Sequence, residues 1–210
     1  MNLYTYFRSS AAYRVRIALG IKGVEHIRRY VDLKAGEQMG AYREINPLCL
    51  VPTIEEGNFQ LGQSLAIIEY LEDCHPTPRL LPTDPKGRAI VRSMSQVIAC
   101  DVHPLNNLRV LRYLKRQLGA DQEQISQWYS HWIIEGFSAL EELVSRNGTQ
   151  TNCFGSTVTL ADICLVPQMW NARSMAIDLS AFPQLVAIDE TLSSVPAFKN
   201  AAPEIQPDAV

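Results

Sequence analysis

Two adjacent serines, Ser9 and Ser10, stand where a β-rich run ends and a helical pattern begins. Hydroxyl groups and unpaired backbone amides at a helix start favour an anion, because a helix N-terminus carries about half a positive charge. A thiolate or a carboxylate is the kind of group that such a site would hold. In most proteins, however, the same pattern is only an N-cap that satisfies orphan amides. The serines therefore need support from elsewhere in the chain before a function follows.

Two later segments offer groups that would complement such a site. Pro52 follows Val51 inside a run that otherwise has the pattern of a strand, and a proline there occupies an edge, a turn or a cis peptide. In the cis form, Val51 would turn its backbone N–H and C=O toward an extended peptide, whereas an ordinary edge-strand proline is the alternative. Gln63 and Ser64 open a second helical pattern, where an amide, a hydroxyl and free N–H groups suit a carboxylate. Alone, this segment is also consistent with a simple cap.

An alternating pattern of strands and helices must position these segments. The apolar periodicity predicts strands near 2–7, 26–31, 50–54 and 59–61, with helices near 10–20 and from residue 64. In the first helix we expect an apolar stripe toward the core, Tyr13 and Arg14 off that stripe, and Gly20 at the end of the helix. This order is typical of a small α/β domain.

Four prolines between residues 75 and 85 separate this region from the rest of the chain. Proline cannot continue a helix, and it favours extended backbone before it, so the segment predicts a linker. Beyond it the periodicity predicts helices near 86–118, 122–146, 159–173 and 184–194. We therefore expect an α/β domain at 1–74, a Pro-rich linker at 75–85 and an all-helical domain at 86–210.

Composition excludes several classes of partner. The chain has 210 residues, 47% of them hydrophobic, which is enough for a substantial globular core. Its net charge of −3 gives no general attraction to nucleic acid or to an acidic membrane surface. No apolar run has membrane-spanning length, and the first residues lack the pattern of a secretory leader. We therefore expect a cytoplasmic protein that has neither nucleic acid nor a membrane as a partner.

Cysteine and histidine give no sign of a metal centre or a disulfide framework. The five cysteines are odd in number and never form a CxxC pair, and the four histidines are scattered without ligand spacing. We expect reduced cysteines and no metal. Thr159 to Asp162 has the spacing of an N-capping box, which indicates folding and not catalysis.

Six motifs, in this order, resemble the zeta class of the glutathione transferase superfamily. They lie at 8–19, 46–53, 63–71, 76–82, 103–108 and 161–168. The resemblance covers nearly the whole chain and implies the glutathione transferase fold, in which an α/β thioredoxin-like N-terminal domain precedes an all-α C-terminal domain. The domain at 1–74 would then bind glutathione, and the domain at 86–210 would bind the substrate. The resemblance also implies glutathione as the cofactor and a homodimer.

The resemblance further assigns roles to individual residues. It implies that Ser9, with Ser10 beside it, is catalytic and that the Ser9 hydroxyl donates to the glutathione thiolate. Other glutathione contacts that it implies are Ala11, Ala12, Tyr13, Arg14, Gln38, Val51, Pro52, Gln63, Ser64, His103 and Asn107. Residues expected near the substrate are Arg8, Leu108, Arg109 and Arg173. Arginines are expected there because a diacid carries two carboxylates.

The activity implied is cis–trans isomerisation of a diacid such as maleylacetoacetate or maleylpyruvate, in aromatic amino acid catabolism. The thiolate adds to the double bond, the resulting single bond rotates, and the sulfur leaves. A transferase that conjugates or dehalogenates α-halo acids is the alternative enzyme, and a non-catalytic glutathione-binding scaffold is the alternative outside enzymes. Ala11 departs from the family, which commonly has cysteine there. Thiol–disulfide chemistry would therefore lack a protein sulfur, whereas isomerisation takes its sulfur from glutathione.

Overall fold

The structure, a computed structural model, describes residues 1–209. They form two compact units. The first comprises Met1–Arg79 together with the described residues from Ser194 onward, and the second comprises Leu80–Ser193. The functional domain bounds taken from the sequence stay predictions. None of the helices in the described part of the chain is long and apolar enough to cross a membrane.

A four-stranded mixed sheet forms the centre of the first unit. Its strands are β1 (Asn2–Thr5), β2 (Ile27–Tyr30), β3 (Thr53–Glu56) and β4 (Phe59–Gly62), in the order β2-β1-β3-β4. β1 and β2 are parallel and are joined by helix α1 (Ser10–Lys22), whereas β3 is antiparallel to both β1 and β4. A parallel pair needs such a crossover, and a hairpin suffices for the antiparallel pair. The predicted α/β arrangement is confirmed.

The central strands β1 and β3 pack against other elements on both faces of the sheet. Leu3 and Ile54 are fully buried cross-strand neighbours. Tyr4, the next residue along β1, points to the opposite face and packs against a cluster of Val31, Tyr42 and Val51. Tyr42 begins the short helix α2 (Tyr42–Ile45), and helix α3 (Ser64–Cys74) packs against α1.

Two expectations about α1 were wrong. The helix does not end at Gly20 but continues to Lys22, where Gly23 at φ 63° takes the left-handed conformation of a C-terminal cap. Gly20 instead lies within α1 and faces helix α9 (Pro196–Lys199), where a Cβ would lie 3.4 Å from the Cβ of Ala197.

The expected amphipathic stripe was the second error. Tyr13 and Arg14, which the pattern placed off the apolar face, are 3% and 1% exposed. The reason is tertiary, since α1 packs against both α3 and α9 and is therefore covered on two sides. A helix covered in this way buries polar side chains as well as apolar ones, provided that their polar atoms are bonded.

The second unit is helical throughout its regular structure. Its helices are α4 (Pro85–Gln96), α5 (Leu108–Gln117), α6 (Gln122–Asn147), α7 (Leu160–Ser174) and α8 (Pro183–Ser193). The prediction of one helix over 86–118 was wrong. A π-helical stretch, Val97–Val102, follows α4, and turns around Pro104 separate it from α5, because proline cannot donate to a helical hydrogen bond.

Candidate active site

Ser9 stands at the end of the loop between β1 and α1 and is the N-cap of α1. Its backbone is extended, at φ −72° and ψ 111°, and its Oγ accepts the backbone N–H of Ala12 at 3.2 Å. A hydroxyl that accepts through oxygen still has its hydrogen to donate. Within residues 1–209 that hydrogen has no protein acceptor. The half-buried hydroxyl can therefore cap the helix and donate to a ligand at the same time.

The surroundings of Ser9 favour a negative charge. No acidic residue lies in the first turn of α1, so the positive end of the helix dipole is not neutralised there. Arg8 precedes Ser9 and is exposed, whereas Ser10 is 4% exposed and Arg14 is buried one turn further on. A thiolate next to Ser9 would gain from the dipole of α1, which lowers the pKa of a thiol.

A buried contact joins the starts of α1 and α3. Arg14 Nη1 donates to Ser64 Oγ at 3.3 Å, and both side chains are buried. The two helix starts that the sequence suggested separately therefore meet in one unit, with a guanidinium between them. The roles of Arg14 and Ser64 as glutathione contacts stay predictions.

The start of α3 leaves its amides open. Gln63 occupies the N-cap position at φ 69° and ψ 113°, and its side chain makes no capping hydrogen bond. Positive φ in a residue other than glycine is strained, and such strain is concentrated at functional sites. The first amides of this helix, from Ser64 to Ala66, have no acceptor among the described residues. They form an anion site of the kind that binds a carboxylate.

Helix starts elsewhere in the described chain are closed by side chains. Each of the other helices with ten or more residues has a side-chain oxygen that accepts an amide at its start. These oxygens belong to Ser9, Asp84, Asn107, Asp121, Asp162 and Glu141. The open start of α3 is therefore an exception to the construction of the rest of the molecule.

Val51 supplies backbone groups beside the sheet. Its bond to Pro52 is cis, which was one of the two alternatives, and the β3 ladder begins only at Thr53. Leu50 O is fixed by Tyr42 Oη at 2.7 Å and Asn46 Nδ2 at 2.8 Å, which holds the chain just before Val51. The backbone N–H and C=O of Val51 have no hydrogen-bond partner in the described structure. They are available to an extended peptide.

Gln38 has a buried polar atom that a ligand would satisfy. It lies in a 3₁₀ turn, Glu37–Met39, and is 9% exposed. Its Oε1 is buried without a hydrogen-bond partner in the described part of the chain. Buried amide oxygens normally accept a hydrogen bond, so a ligand N–H fits this position.

The second unit holds the remaining candidates, and most of them surround the start of α5. His103 ends the π-helical stretch and is half-buried. Asn107 is the N-cap of α5, where its Oδ1 accepts the backbone N–H of Arg109 at 3.1 Å. Leu108 and Arg109 are exposed in the first turn. Arg109 therefore has a guanidinium in solvent, and the predicted contacts of all four residues stay predictions.

Arg173 is already paired within the second unit. Its Nη2 and Nε contact Asp189 Oδ2 at 2.8 Å and 3.2 Å, which ties α7 to α8. Burial raises the pKa of Asp189, and the guanidinium opposes that shift. The ion pair gives Arg173 a structural task, and its expected role in substrate binding stays a prediction.

Two residues that hold the Ser9 loop were missed by sequence reasoning. Arg16 bonds the loop from within α1, and Asp208 bonds it from the far end of the chain. An arginine two positions after Arg14 was visible in the sequence, but its burial was not. Asp208 has no sequence signal at all, since 201 residues separate it from its partner Phe7.

Neither a metal cluster nor a disulfide appears in the part of the chain that the structure describes. No three His, Cys, Asp or Glu side chains there are grouped to hold a metal ion. No disulfide joins any two of the cysteines among residues 1–209.

Comparison with known proteins identifies the family. Residues 8–74 match the family model for the N-terminal domain of glutathione S-transferase. The probable maleylacetoacetate isomerase of Vibrio cholerae is 48% identical over 210 residues, which cover 99% of this chain and 97% of that relative. The chain belongs to the maleylacetoacetate isomerase family of glutathione S-transferases. This membership confirms the thioredoxin-like N-terminal domain and the glutathione transferase fold.

Solved structures of the family agree over the full length. The holo structure of maleyl pyruvate isomerase, a bacterial zeta-class glutathione S-transferase, has a TM-score of 0.97 and 43% identity, and covers 100% of both chains. The maleylacetoacetate isomerase of Methylobacterium extorquens, solved with malonate and glutathione, has a TM-score of 0.96 and 36% identity, and also covers 100% of both chains. The predicted zeta-class resemblance is confirmed.

Proposed function

We propose that this protein is a glutathione-dependent cis–trans isomerase of a diacid such as maleylacetoacetate or maleylpyruvate. The observation that carries the proposal is the Ser9 hydroxyl, which caps α1 and keeps its hydrogen for a ligand anion. Full-length relatives bear the names of both isomerases. One relative was solved with malonate, a small diacid, and glutathione.

Glutathione fits the groups that the first unit leaves open. Its sulfur would bind at Ser9, with Ser10, Ala11, Ala12, Tyr13 and Arg14 forming that helix start. The unpaired backbone of Val51, before Pro52, suits the cysteinyl peptide, and the open amides after Gln63 suit the γ-glutamyl carboxylate. The buried oxygen of Gln38 suits an N–H of the peptide. His103 and Asn107 are the contacts that we assign to the second unit.

The residues of the chain then have distinct tasks. Glutathione, when bound, would supply the thiolate for isomerisation by addition to the cis double bond, rotation about the resulting single bond and elimination of the sulfur. Ser9 donates to the thiolate and, with the dipole of α1, lowers the pKa of the thiol. Arg8 and Arg109 supply cations for the carboxylates and for the charge that develops in the transition state. Leu108 provides apolar contact, and Arg173 remains a third candidate cation.

The decisive experiment follows product geometry. Purified protein is incubated with maleylacetoacetate and with maleylpyruvate, with and without glutathione, and the alkene protons are followed by nuclear magnetic resonance. We expect trans product only with glutathione. A chloroacid is assayed in parallel for halide release. Turnover without glutathione, or none on either diacid, contradicts the proposal, and halide release without isomerisation identifies the transferase instead.

Arg109 offers a test of diacid binding. Arg109→Ala should raise KM for the diacid about 10-fold, because one charge-assisted contact is lost, while Kd for glutathione stays unchanged. Arg116→Ala, which removes an exposed arginine from the last turn of the same helix, is the matched control. Equal weakening of both ligands by Arg109→Ala would contradict a role specific to the diacid.

We also propose a cytoplasmic homodimer that serves aromatic amino acid catabolism. The chemistry needs glutathione as a thiol, and the cytosol keeps thiols reduced. The dimer rests on the family resemblance. Light scattering of the purified protein should give twice the 23.6 kDa of one chain, and a monomeric mass would contradict this part of the proposal.

A further inference from the structure

The loop that carries Ser9 lies beyond the hydrogen-bonded ladder of the sheet. β1 ends at Thr5, and the chain then turns so that Ser9 N donates to Tyr6 O at 3.1 Å. A turn with one internal hydrogen bond does not fix the direction of a side chain at its end. The C=O of Tyr6 and both backbone groups of Phe7 are bonded from outside the loop.

Arg16 bonds the inner side of this loop and the tail of the chain with one guanidinium. It is 3% exposed. Nη1 donates to Tyr6 O at 3.3 Å, Nη2 donates to Phe7 O at 3.1 Å, and Nε donates to Ala201 O at 2.9 Å. A planar fork can make these three bonds together, whereas a lysine ammonium offers one point of attachment.

Asp208 bonds the same loop from the carboxyl-terminal tail. Its Oδ2 accepts the backbone N–H of Phe7 at 2.8 Å, so both the N–H and the C=O of Phe7 are held. Burial lowers the pKa of Arg16 to about 10, and the Asp208 carboxylate acts in the opposite direction. The Arg16 guanidinium therefore bonds the carbonyls of the loop, and the Asp208 carboxylate bonds its amide at Phe7.

The tail that carries Asp208 is itself anchored to the first unit. Tyr13 Oη donates to Phe198 O at 3.3 Å. Gln206 is 4% exposed, accepts from Arg28 Nη1 at 3.1 Å and donates to Ala202 O at 2.8 Å. These bonds hold the tail immediately before Asp208. The position of that carboxylate is thus fixed by the fold and not by local chain geometry.

We infer that the carboxyl-terminal tail is a positioning element of the thiolate site, in which Asp208 and Arg16 hold the Tyr6–Ser9 turn so that the Ser9 hydroxyl faces the sulfur. The inference rests on the proposed function. Asp208 and Arg16 are positioning residues, because they act on the sulfur only through Ser9. Small displacements of such a donor are costly, since hydrogen bonds weaken steeply with misalignment.

The test compares Asp208→Ala with Asp208→Asn, which keeps an acceptor oxygen, and with Asp178→Ala as the matched control. Asp178 accepts the backbone N–H of Ser180 at 2.9 Å in the second unit, so its loss removes a similar bond. We expect Asp208→Ala to raise the pKa of bound glutathione, followed by thiolate absorbance, and to lower kcat/KM about 10-fold. Asp208→Asn should restore most of both values, and Asp178→Ala should leave both unchanged.

Amide hydrogen exchange gives a readout that does not depend on turnover. Exchange at residues 6–9 should be faster in Asp208→Ala than in the wild type or the control. Unchanged exchange there, or a lower melting temperature with an unchanged pKa of the bound thiol, overturns the inference. If the wild type itself fails to lower the pKa of bound glutathione, the proposed function and the inference both fall. A lowered pKa that is insensitive to Asp208→Ala overturns the inference alone.

Discussion

The starts of α3 and α7 are built in opposite ways. At α7, Asp162 is fully buried and accepts the backbone N–H groups of Thr159 and Cys153, each at 2.7 Å. At α3, Gln63 is strained at φ 69° and no side chain accepts the first amides. A start that its own chain closes contributes to folding. A start left open at the cost of backbone strain leaves its amides available to a ligand.

The start of α1 combines the two designs. Ser9 closes one amide, as Asp162 does, yet its hydroxyl hydrogen remains available, as the amides of α3 do. The comparison therefore predicts that substitutions at α7 change stability, that substitutions at α3 change ligand binding, and that substitution of Ser9 changes catalysis far more than stability.

The largest expected effect is at α7. Asp162→Ala should lower the free energy of unfolding by about 4 kcal/mol, because it leaves buried amides without an acceptor. The refolded enzyme should keep its KM values, measured on the folded fraction. Asp84→Ala removes an exposed cap that accepts Gly87 N at 2.7 Å, and should cost only about 1 kcal/mol in urea denaturation. A similar loss of unfolding free energy in the two variants would contradict the prediction that the buried cap of α7 contributes more to stability than an exposed cap.

Ser9→Ala comes next. The loss of the hydroxyl that donates to the glutathione thiolate should lower kcat/KM about 100-fold. The loss of one cap should lower the free energy of unfolding by only about 1 kcal/mol. Steady-state kinetics and urea denaturation on the same preparation measure both, with Ser9→Thr as the variant that keeps a hydroxyl. Full activity in the folded Ser9→Ala enzyme would mean that Ser9 only caps α1 and has no role in catalysis.

Gln63→Gly should separate strain from binding. Glycine adopts positive φ without a Cβ penalty, so the variant should be more stable by about 1 kcal/mol. It should bind glutathione about 10-fold more weakly, since the Gln63 side chain is lost. Ala176→Gly relieves a similar φ of 52° in the second unit and serves as the control in thermal denaturation and calorimetry. Unchanged glutathione affinity in Gln63→Gly would contradict a role for the Gln63 side chain in binding and leave only the open amides of α3.

The smallest expected effect is a pH dependence at α7. Burial raises the pKa of Asp162 above its ordinary 3.8, so the folded state binds more protons than the unfolded state just above that value. Stability contributed by this group must therefore fall as pH rises through the window between the two values. Asp162→Asn should lack this fall, because its side chain does not titrate. The difference between the two proteins is measured by urea denaturation across pH, and an opposite slope would contradict the burial argument.

Local signals in the sequence were sufficient for much of the fold. The capping box at Thr159 to Asp162 was predicted from spacing and is confirmed. So was the helix from Ser64, because its apolar periodicity and start chemistry agree. The prediction of one helix over 86–118 was wrong because the apolar periodicity continues through the interruption, for which Pro104 is the local sequence signal. Gly20 was wrongly predicted to end α1, because its packing against Ala197 is a tertiary contact that the local pattern does not show.

The candidate site also has features that the sequence indicates and features that depend on tertiary packing. The motifs around Ser9, Val51 and Gln63 predict which groups hold glutathione, since their residue types and order carry the family resemblance. That Arg14 lies buried against Ser64, and that α3 is left open, could not be inferred, because each depends on which surfaces pack together. The ion pair of Arg173 with Asp189 could not be predicted either, because the two residues lie on different helices and no local sequence pattern indicates their contact.

By itself, the sequence determined most of the elements, the family and the capped start of α1, because capping residues, periodicity and motif order act over a few neighbouring positions. Only the tertiary structure decided how that start is held. The Ser9 loop depends on Arg16 within α1 and on Asp208 at the far end of the chain, 201 residues from the amide it accepts. Contacts over such a separation arise from packing of the whole unit, and no local pattern encodes them.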